Sequence, residues 1–147
     1  MSAPNLKQLL LARNDWFAQE IMKGVRTSHD FGFITPAQSR LLALMGGKPM
    51  SMAELGRRLA ISRQAVHKTV NELVRRGILE VRDDPDRGNS KLVLYTPRGK
   101  ELNRSGARII ESIEHRLVQR LGRDQVEQLK ALLASDWEAS ASGPTGT

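Results

Sequence analysis

The sequence predicts a mainly α-helical fold with one small β-hairpin. Apolar residues recur at helical spacing over most of the chain. Thr35-Pro36 and Ser51 are residue types that commonly begin helices. Residues 78–82 and 91–95 are rich in Ile, Val, Leu and Tyr and flank a polar stretch, as paired strands do. The expected order is therefore helix, helix, short helix, helix, hairpin, helix, helix.

Capping and stop residues set the expected bounds of the helices. Ser51-Met52-Ala53-Glu54 matches a capping box, and Ser62 is a suitable cap for the helix that follows. Gly46-Gly47 and Gly77 are stop signals. The six helices are expected at residues 6–26, 35–46, 51–60, 62–76, 97–121 and 124–137.

Length and composition fit one globular domain over residues 1–138, with a Ser/Gly/Thr-rich tail at 139–147 that we expect to be disordered. Its core is expected at about 35–98, between flanking helices at about 5–28 and 98–137. The sequence holds no cysteine, which excludes disulfides and thiolate metal sites. It has no long apolar run and no signal-like N-terminus, so we expect a cytoplasmic protein.

Positive charge is concentrated in the middle of the chain. The formal net charge is +7, and +5 of it lies between Ser51 and Arg104, where twelve Lys/Arg oppose seven Asp/Glu. Such a balance favours a polyanionic partner. The same stretch carries the pattern of a helix-turn-helix.

The fourth predicted helix has two distinct faces. A helical wheel places an apolar group on one side, consisting of Val66, Val70, Leu73 and Val74. The opposite side carries Gln64, Lys68, Asn71 and Arg75, with His67 on the flank. Gln and Asn can pair with adenine edges, while Lys and Arg bind guanine or phosphate. A solvated helix face is the alternative, but the capped short helix before it and the hairpin after it favour DNA reading.

In these segments the chain resembles the MarR family of bacterial winged-helix regulators. The likeness rests on Ser51–Ser62 (SMAELGRRLAIS), on LVRRGIL beginning at Leu73, and on Asp83-Asp84-Pro85 with Ser90–Gly99 (SKLVLYTPRG). It implies a winged helix-turn-helix flanked by N- and C-terminal dimerisation helices. It also implies a homodimer on double-stranded DNA with an inverted-repeat operator, and a small aromatic ligand as a possible effector.

The hairpin departs from the family pattern. The family usually has an Asp and, two places later, an Arg that enters the minor groove; these slots hold Arg87 and Asn89. We hypothesise that Arg87 still contacts the minor groove or its phosphates, the alternative being a solvated turn arginine. The residues expected to contact DNA are Ser62, Arg63, Gln64, His67, Lys68, Asn71, Arg75, Arg87, Asn89 and Lys91.

Other candidate sites are weaker. The resemblance suggests a ligand pocket near Trp16, His29, Phe31 and Phe33, although core packing is the alternative for these residues. No catalytic set, metal-ligand spacing or cofactor motif can be assembled, so no enzyme is expected. A non-specific architectural DNA-binding protein and a winged-helix protein-interaction module remain the competing functions.

Overall fold

The computed structural model describes residues 2–138 and shows a mainly helical chain with a small antiparallel sheet. The predicted tail at 139–147 lies outside the described residues. In chain order the elements are α1 (Leu6–Arg26), α2 (Pro36–Met45), β1 (Met50–Ser51), α3 (Met52–Leu59), α4 (Arg63–Arg75), β2 (Leu79–Asp83), β3 (Lys91–Tyr95), α5 (Pro97–Leu121) and α6 (Arg123–Ala134).

The chain separates into two compact units, with the boundary after Ile110. The first unit has a continuous hydrophobic core in which α2, α3, α4 and the sheet meet. Its fully buried side chains are Leu41, Leu55, Val66, Val70, Leu73, Ile78, Leu79 and Val93. In the second unit Ile113 and Val126 are buried, and Lys130 pairs with Glu114 at 3.6 Å. The treatment of residues 1–138 as one domain stays a prediction.

Side-chain caps fix where the helices begin. Asn5 and Gln8 form a reciprocal capping box at α1, and Thr35 and Gln38 form another at α2. At α3, Ser51 Oγ accepts from the backbone N–H of Glu54 at 3.1 Å. These bonds satisfy amide donors that a helix start leaves free, which is why the observed starts fall at or next to the predicted ones.

The sheet contains a strand that the sequence pattern does not predict. The hairpin of β2 and β3 is confirmed, but the strand order is β1-β3-β2, with Met50 opposite Val93 and Ser51 opposite Leu92. A strand of two residues is too short to produce an alternating pattern. Only the neighbouring β3 brings it into the sheet.

Two further expectations are corrected. Val74 does not belong to the apolar face of α4, since it is 38% exposed, whereas Thr69 is buried and its hydroxyl donates to the Ala65 carbonyl at 3.1 Å. The last helix ends at Ala134, not near Trp137. There the Ser135 hydroxyl and Trp137 Nε1 both donate to the Leu132 carbonyl, which satisfies an acceptor at the helix end.

The junction between the sheet and α5 is tightly bonded. The Thr96 hydroxyl accepts from the Gly99 N–H at 2.9 Å and so caps α5. Tyr95 donates its hydroxyl to the Leu42 carbonyl at 2.9 Å, and burial raises the pKa of this phenol to about 12. The side chain is therefore neutral, and holds this bond, throughout the physiological pH range. In residues 2–138 no helix combines the length and apolar character that crossing a membrane requires.

Gly99 is expected to be essential for this junction. A Cβ at position 99 would lie 2.1 Å from the backbone oxygen of Ile78, so Gly99→Ala must displace the backbone. We expect a loss of about 1–3 kcal/mol in the free energy of unfolding. Gly106→Ala in the same helix meets nothing within 4 Å and should gain about 0.5–1 kcal/mol. Urea denaturation at equal protein concentration measures both, and equal effects would contradict the close packing.

Candidate nucleic-acid interface

The helix-turn-helix is built by α3, a tight turn and α4. Ala60 ends α3 in the left-handed conformation with φ 54°, and the Ser62 hydroxyl accepts from the Ala65 N–H at 3.1 Å to start α4. Val66, Val70 and Leu73 then anchor α4 in the core with 1% exposure or less. Gly77, at φ 75°, follows the helix end and leads into the sheet. The orientation of α4 is thus fixed from both ends and along its inner face.

Polar side chains occupy the outer face of α4. Gln64, Lys68, Asn71 and Arg75 are all exposed, and their spacing of three or four residues aligns them along the helix. His67 is half-buried at the edge of this stripe. We call Gln64, Lys68, Asn71 and Arg75 the outer stripe. Because amide and cationic groups alternate along it, this surface offers both donors and acceptors to a partner.

The hairpin tip is shaped by its own backbone bonds. The Asp84 N–H donates to the Ser90 carbonyl at 3.0 Å, and the Asp84 carboxylate accepts from the Asp86 N–H at 2.9 Å. Arg87 and Asn89, the two wing candidates, are exposed at this tip. The structure therefore presents both side chains to solvent.

Lys91 is partly neutralised at the base of the tip. Its ammonium group donates to the Asp83 carboxylate at 2.5 Å, directly across the β2–β3 ladder. This bond and the positive charge of Lys91 lower the pKa of Asp83 below 3.8. The Asp83 carboxylate is therefore ionised at neutral pH, where its negative charge faces the Lys91 ammonium group.

A groove joins the helix-turn-helix to the wing. Its volume is about 590 Å³, and it brings residues of α3, the turn, α4 and the hairpin to one place. Four of the predicted residues lie in it, namely Arg63, His67, Asn89 and Lys91. The remaining lining residues are Met52, Ala53, Gly56, Arg57, Ile61 and Ser90. None of the ten is acidic.

Arg57 is the functional candidate that the sequence analysis misses. It is exposed on α3 and lines the groove beside Arg63. A helical wheel of α3 could have found it, because the buried Leu55 and Leu59 define the inner face of that helix.

The four aromatic and histidine candidates for a ligand pocket lie in different surroundings. Trp16 is half-buried and packs edge-on against Phe17, with ring centroids 5.1 Å apart. His29 is exposed, whereas Phe31 is buried in the core. Phe33 is half-buried beneath the guanidinium of Arg76, 4.5 Å from its ring centroid.

A separate apolar cleft exists in the first unit. It measures about 300 Å³ and lies among α1, α2, the end of β3 and the first part of α5. Its walls include Ile21, Val25, Leu42, Tyr95, Leu102 and Ile110, and none of the four candidates lines it. Within residues 2–138 no group of three His, Asp or Glu side chains could hold a metal ion.

Comparison with known proteins identifies this architecture. The MarR family profile matches residues 34–88, which contain α2, α3, α4, β2 and the hairpin tip up to Gly88. The winged helix of this chain is similar to that of the MarR family. The chain thus has the fold of a DNA-binding transcriptional regulator, as its resemblance predicts.

Solved structures extend the MarR-family likeness to the flanking helices. The apo form of wild-type MarR from E. coli aligns over 90% of this chain and 96% of its own, with a TM-score of 0.71 and 20% identity. A probable transcriptional regulator from Pseudomonas aeruginosa aligns over 88% and 95%, with a TM-score of 0.63 and 26% identity. The PcaV regulator of Streptomyces coelicolor, solved with its natural ligand, aligns over 90% and 94%, with a TM-score of 0.57 and 24% identity.

The curated relatives that this chain matches carry no assigned activity. Uncharacterized proteins of Mycobacterium tuberculosis and Mycobacterium bovis are 30% identical to it over 84 residues. The match covers 57% of this chain, which spans about half the length of those relatives, 54%.

Proposed function

We propose that this protein is a homodimeric cytoplasmic repressor that binds an inverted-repeat operator and releases it when a small molecule binds. The outer stripe of α4 carries this proposal. The opposite face of α4 is buried in the core, so the side chains of the outer stripe are held pointing outward at fixed positions.

The composition of the outer stripe favours reading of bases over attraction to phosphate alone. Gln64 and Asn71 are uncharged amides that can each make two hydrogen bonds to an adenine edge in the major groove. Lys68 and Arg75 add contacts to guanine or to the backbone. The wing supplies the second contact region, with Arg87 and Asn89 directed to the minor groove.

Two other functions compete with a repressor. An architectural DNA-binding protein would coat or bend DNA without selecting a sequence, and a winged-helix interaction module would bind protein. The two amides in the outer stripe favour a repressor over an architectural protein, since phosphate binding needs only cations. The charge of +5 between Ser51 and Arg104 favours a protein that binds DNA over a module that binds protein.

Selection from a random duplex pool tests base reading. We expect an enriched inverted repeat, and we expect Gln64→Ala and Asn71→Ala each to lose roughly 5- to 150-fold in discrimination between that repeat and an unrelated duplex. Affinity for the unrelated duplex should change little, which is the internal control. Unchanged target preference in both variants, or no enriched sequence, would contradict the proposal.

The dimer is inferred from apolar side chains that each unit leaves uncovered. At the start of α1, Leu6 and Leu11 are more than half exposed. In the second unit α6 and the turn after it present four large apolar residues, Leu129, Leu132, Leu133 and Trp137, each about half exposed. Rows of exposed leucines at helical spacing are costly in water and are typical of a helical interface. A second copy of the chain, related by a two-fold axis, would place two α4 helices on successive turns of DNA.

Sedimentation measures the assembly directly. The wild-type protein is expected to sediment at twice the monomer mass. Leu129→Glu puts a charge into the apolar row and should shift the protein toward monomer and weaken operator binding at least tenfold. Gln128→Glu adds the same charge at the adjacent exposed position and should stay dimeric. A wild-type monomer at micromolar concentration, or equal behaviour of both variants, would refute the interface.

The apolar cleft is our candidate for the effector site. Its walls come from α1 and α5, which flank the winged helix, and from α2 and β3 within it, so a ligand there could bias how these parts pack. The single phenol, Tyr95, supplies a polar group among apolar walls, as small aromatic ligands require. The ligand complex of the PcaV regulator supports a ligand response in a protein of this fold.

Filling the cleft should separate ligand response from DNA binding. Ala107 lines the cleft and is exposed, so Ala107→Trp can occupy it without entering the core. Among a panel of phenols and aromatic acids, including benzoate, at least one should weaken operator binding by the wild type at least tenfold. The variant should bind the operator normally but no longer release it. Fluorescence anisotropy measures both; a panel with no active compound, or release that survives in the variant, would contradict this assignment.

A further inference from the structure

The apolar cleft between α1, α2 and α5 is lined by uncharged residues. Within residues 2–138 its walls contain no Asp, Glu, Lys, Arg or His. The phenol of Tyr95 is the one group there with a titratable hydroxyl, and it is neutral at physiological pH. A charged ligand in this cleft would therefore meet no opposite charge on its walls.

The cations of the surrounding helices point away from the cleft. The lining residues of α5 recur at helical spacing and so share one face of that helix. Arg104 and Arg108 are exposed on its opposite side. On α2, the guanidinium of Arg40 donates to the Leu59 carbonyl at 3.4 Å and is thus turned toward α3.

Two polar side chains line the cleft without a protein partner. Neither the Ser39 hydroxyl nor the Asn103 amide forms a hydrogen bond within the part of the chain that the structure describes. Both residues are half-buried, and no fully buried polar side-chain atom in this part lacks a partner, so their free groups remain accessible. The Tyr95 hydroxyl differs, because its hydrogen is donated to the Leu42 carbonyl.

The Asn103 amide has a defined place against the backbone of Gly47. A Cβ at position 47 would lie 2.6 Å from the Asn103 Nδ2 atom, so the glycine leaves the space that the amide occupies. Gly47 also has φ 83°, a conformation that favours glycine. The amide is therefore held at the end of α2, where Gly46 lines the cleft as well.

The size and chemistry of the cleft limit what it can hold. Its volume of about 300 Å³ lies at the lower end of the range of ligand pockets, about 300–1,000 Å³, and suits a molecule of a single ring. The Asn103 amide offers both a donor and an acceptor, which a hydroxyl or a carboxamide can match. A carboxylate would lose its hydration and gain no cation in return, which opposes its binding.

We propose that the cleft binds an uncharged molecule about the size of one aromatic ring, whose hydroxyl or carboxamide group bonds to Asn103, and that it excludes carboxylates. The inference rests on the proposed function only in that it uses the same cleft. It adds the charge of the ligand and the residue that orients it, with the Ser39 hydroxyl as a second polar contact.

A pair of matched ligands tests the exclusion of charge. Benzamide and benzoate have the same shape, but only benzoate is charged at neutral pH. Calorimetric titration of the full chain without DNA should give benzamide at least a tenfold higher affinity, because the carboxylate finds no partner in the cleft. Equal affinities, tighter binding of benzoate, or no binding of either compound at millimolar concentration would overturn the proposal.

The substitution Asn103→Leu tests the orienting contact. It keeps a side chain of similar size but removes both hydrogen-bonding groups. Benzamide binding should weaken about 3- to 10-fold, whereas binding of toluene, which has the ring and no polar group, should not weaken. An equal loss for the two compounds would show that Asn103 only shapes the cleft, and would refute its contact with the ligand.

A cation added at the edge of the cleft should reverse the preference. Ala107 lines the cleft and is exposed, so Ala107→Arg and Ala107→Gln both place a long polar side chain there, with and without a charge. We expect the arginine variant to bind benzoate at least tenfold more tightly than the glutamine variant. The same benzoate affinity in both variants would contradict exclusion by charge.

Operator release is measured separately, by fluorescence anisotropy with the same compounds. If benzamide binds in preference to benzoate but leaves the operator bound, the effector role in the proposed function fails and the ligand class stands. If benzoate releases the operator and benzamide does not, the effector role stands and the assignment of an uncharged ligand fails.

Discussion

The burial of one face of α4 is the constraint on which the rest of the structure depends. Val66, Val70 and Leu73 are almost fully removed from water, and burial of such side chains stabilises a fold by about 1.5–3 kcal/mol each. Because three positions on one face are fixed, the opposite face has no rotational freedom. The outer stripe thus owes its direction to the core, and a substitution in the core would change how these four side chains are presented without replacing any of them.

Much of the fold could be predicted because its signals are local. Thr35 with Pro36, Ser51 and Ser62 are caps whose chemistry is visible in a few residues, and their helices begin where expected. The hairpin follows from two short apolar segments around a polar tip. The outer stripe needs only a helical period, so its residues could be placed on one face of α4 from the sequence alone.

What could not be predicted depends on contacts distant in sequence. β1 exists only because Met50 and Ser51 meet Val93 and Leu92 some forty residues later. Val74 fits the apolar side of a wheel, yet the neighbouring elements cover Thr69 instead. In the sequence, Arg57 is an ordinary polar residue of α3. Only the fold places the hairpin near it and so forms the groove that it lines. Pockets are likewise formed between elements, so the lining of the apolar cleft could not be listed from the sequence.

The double role of Ser51 has a mechanical consequence. Its backbone pairs with β3 of the hairpin while its hydroxyl caps α3, so one residue links the hairpin to the first helix of the helix-turn-helix. Bending the hairpin away from α4 would have to break the pairing of β1 with β3 and remove the N-terminal cap of α3 at the same time. The helices α3 and α4 and the hairpin should consequently move together as one rigid body.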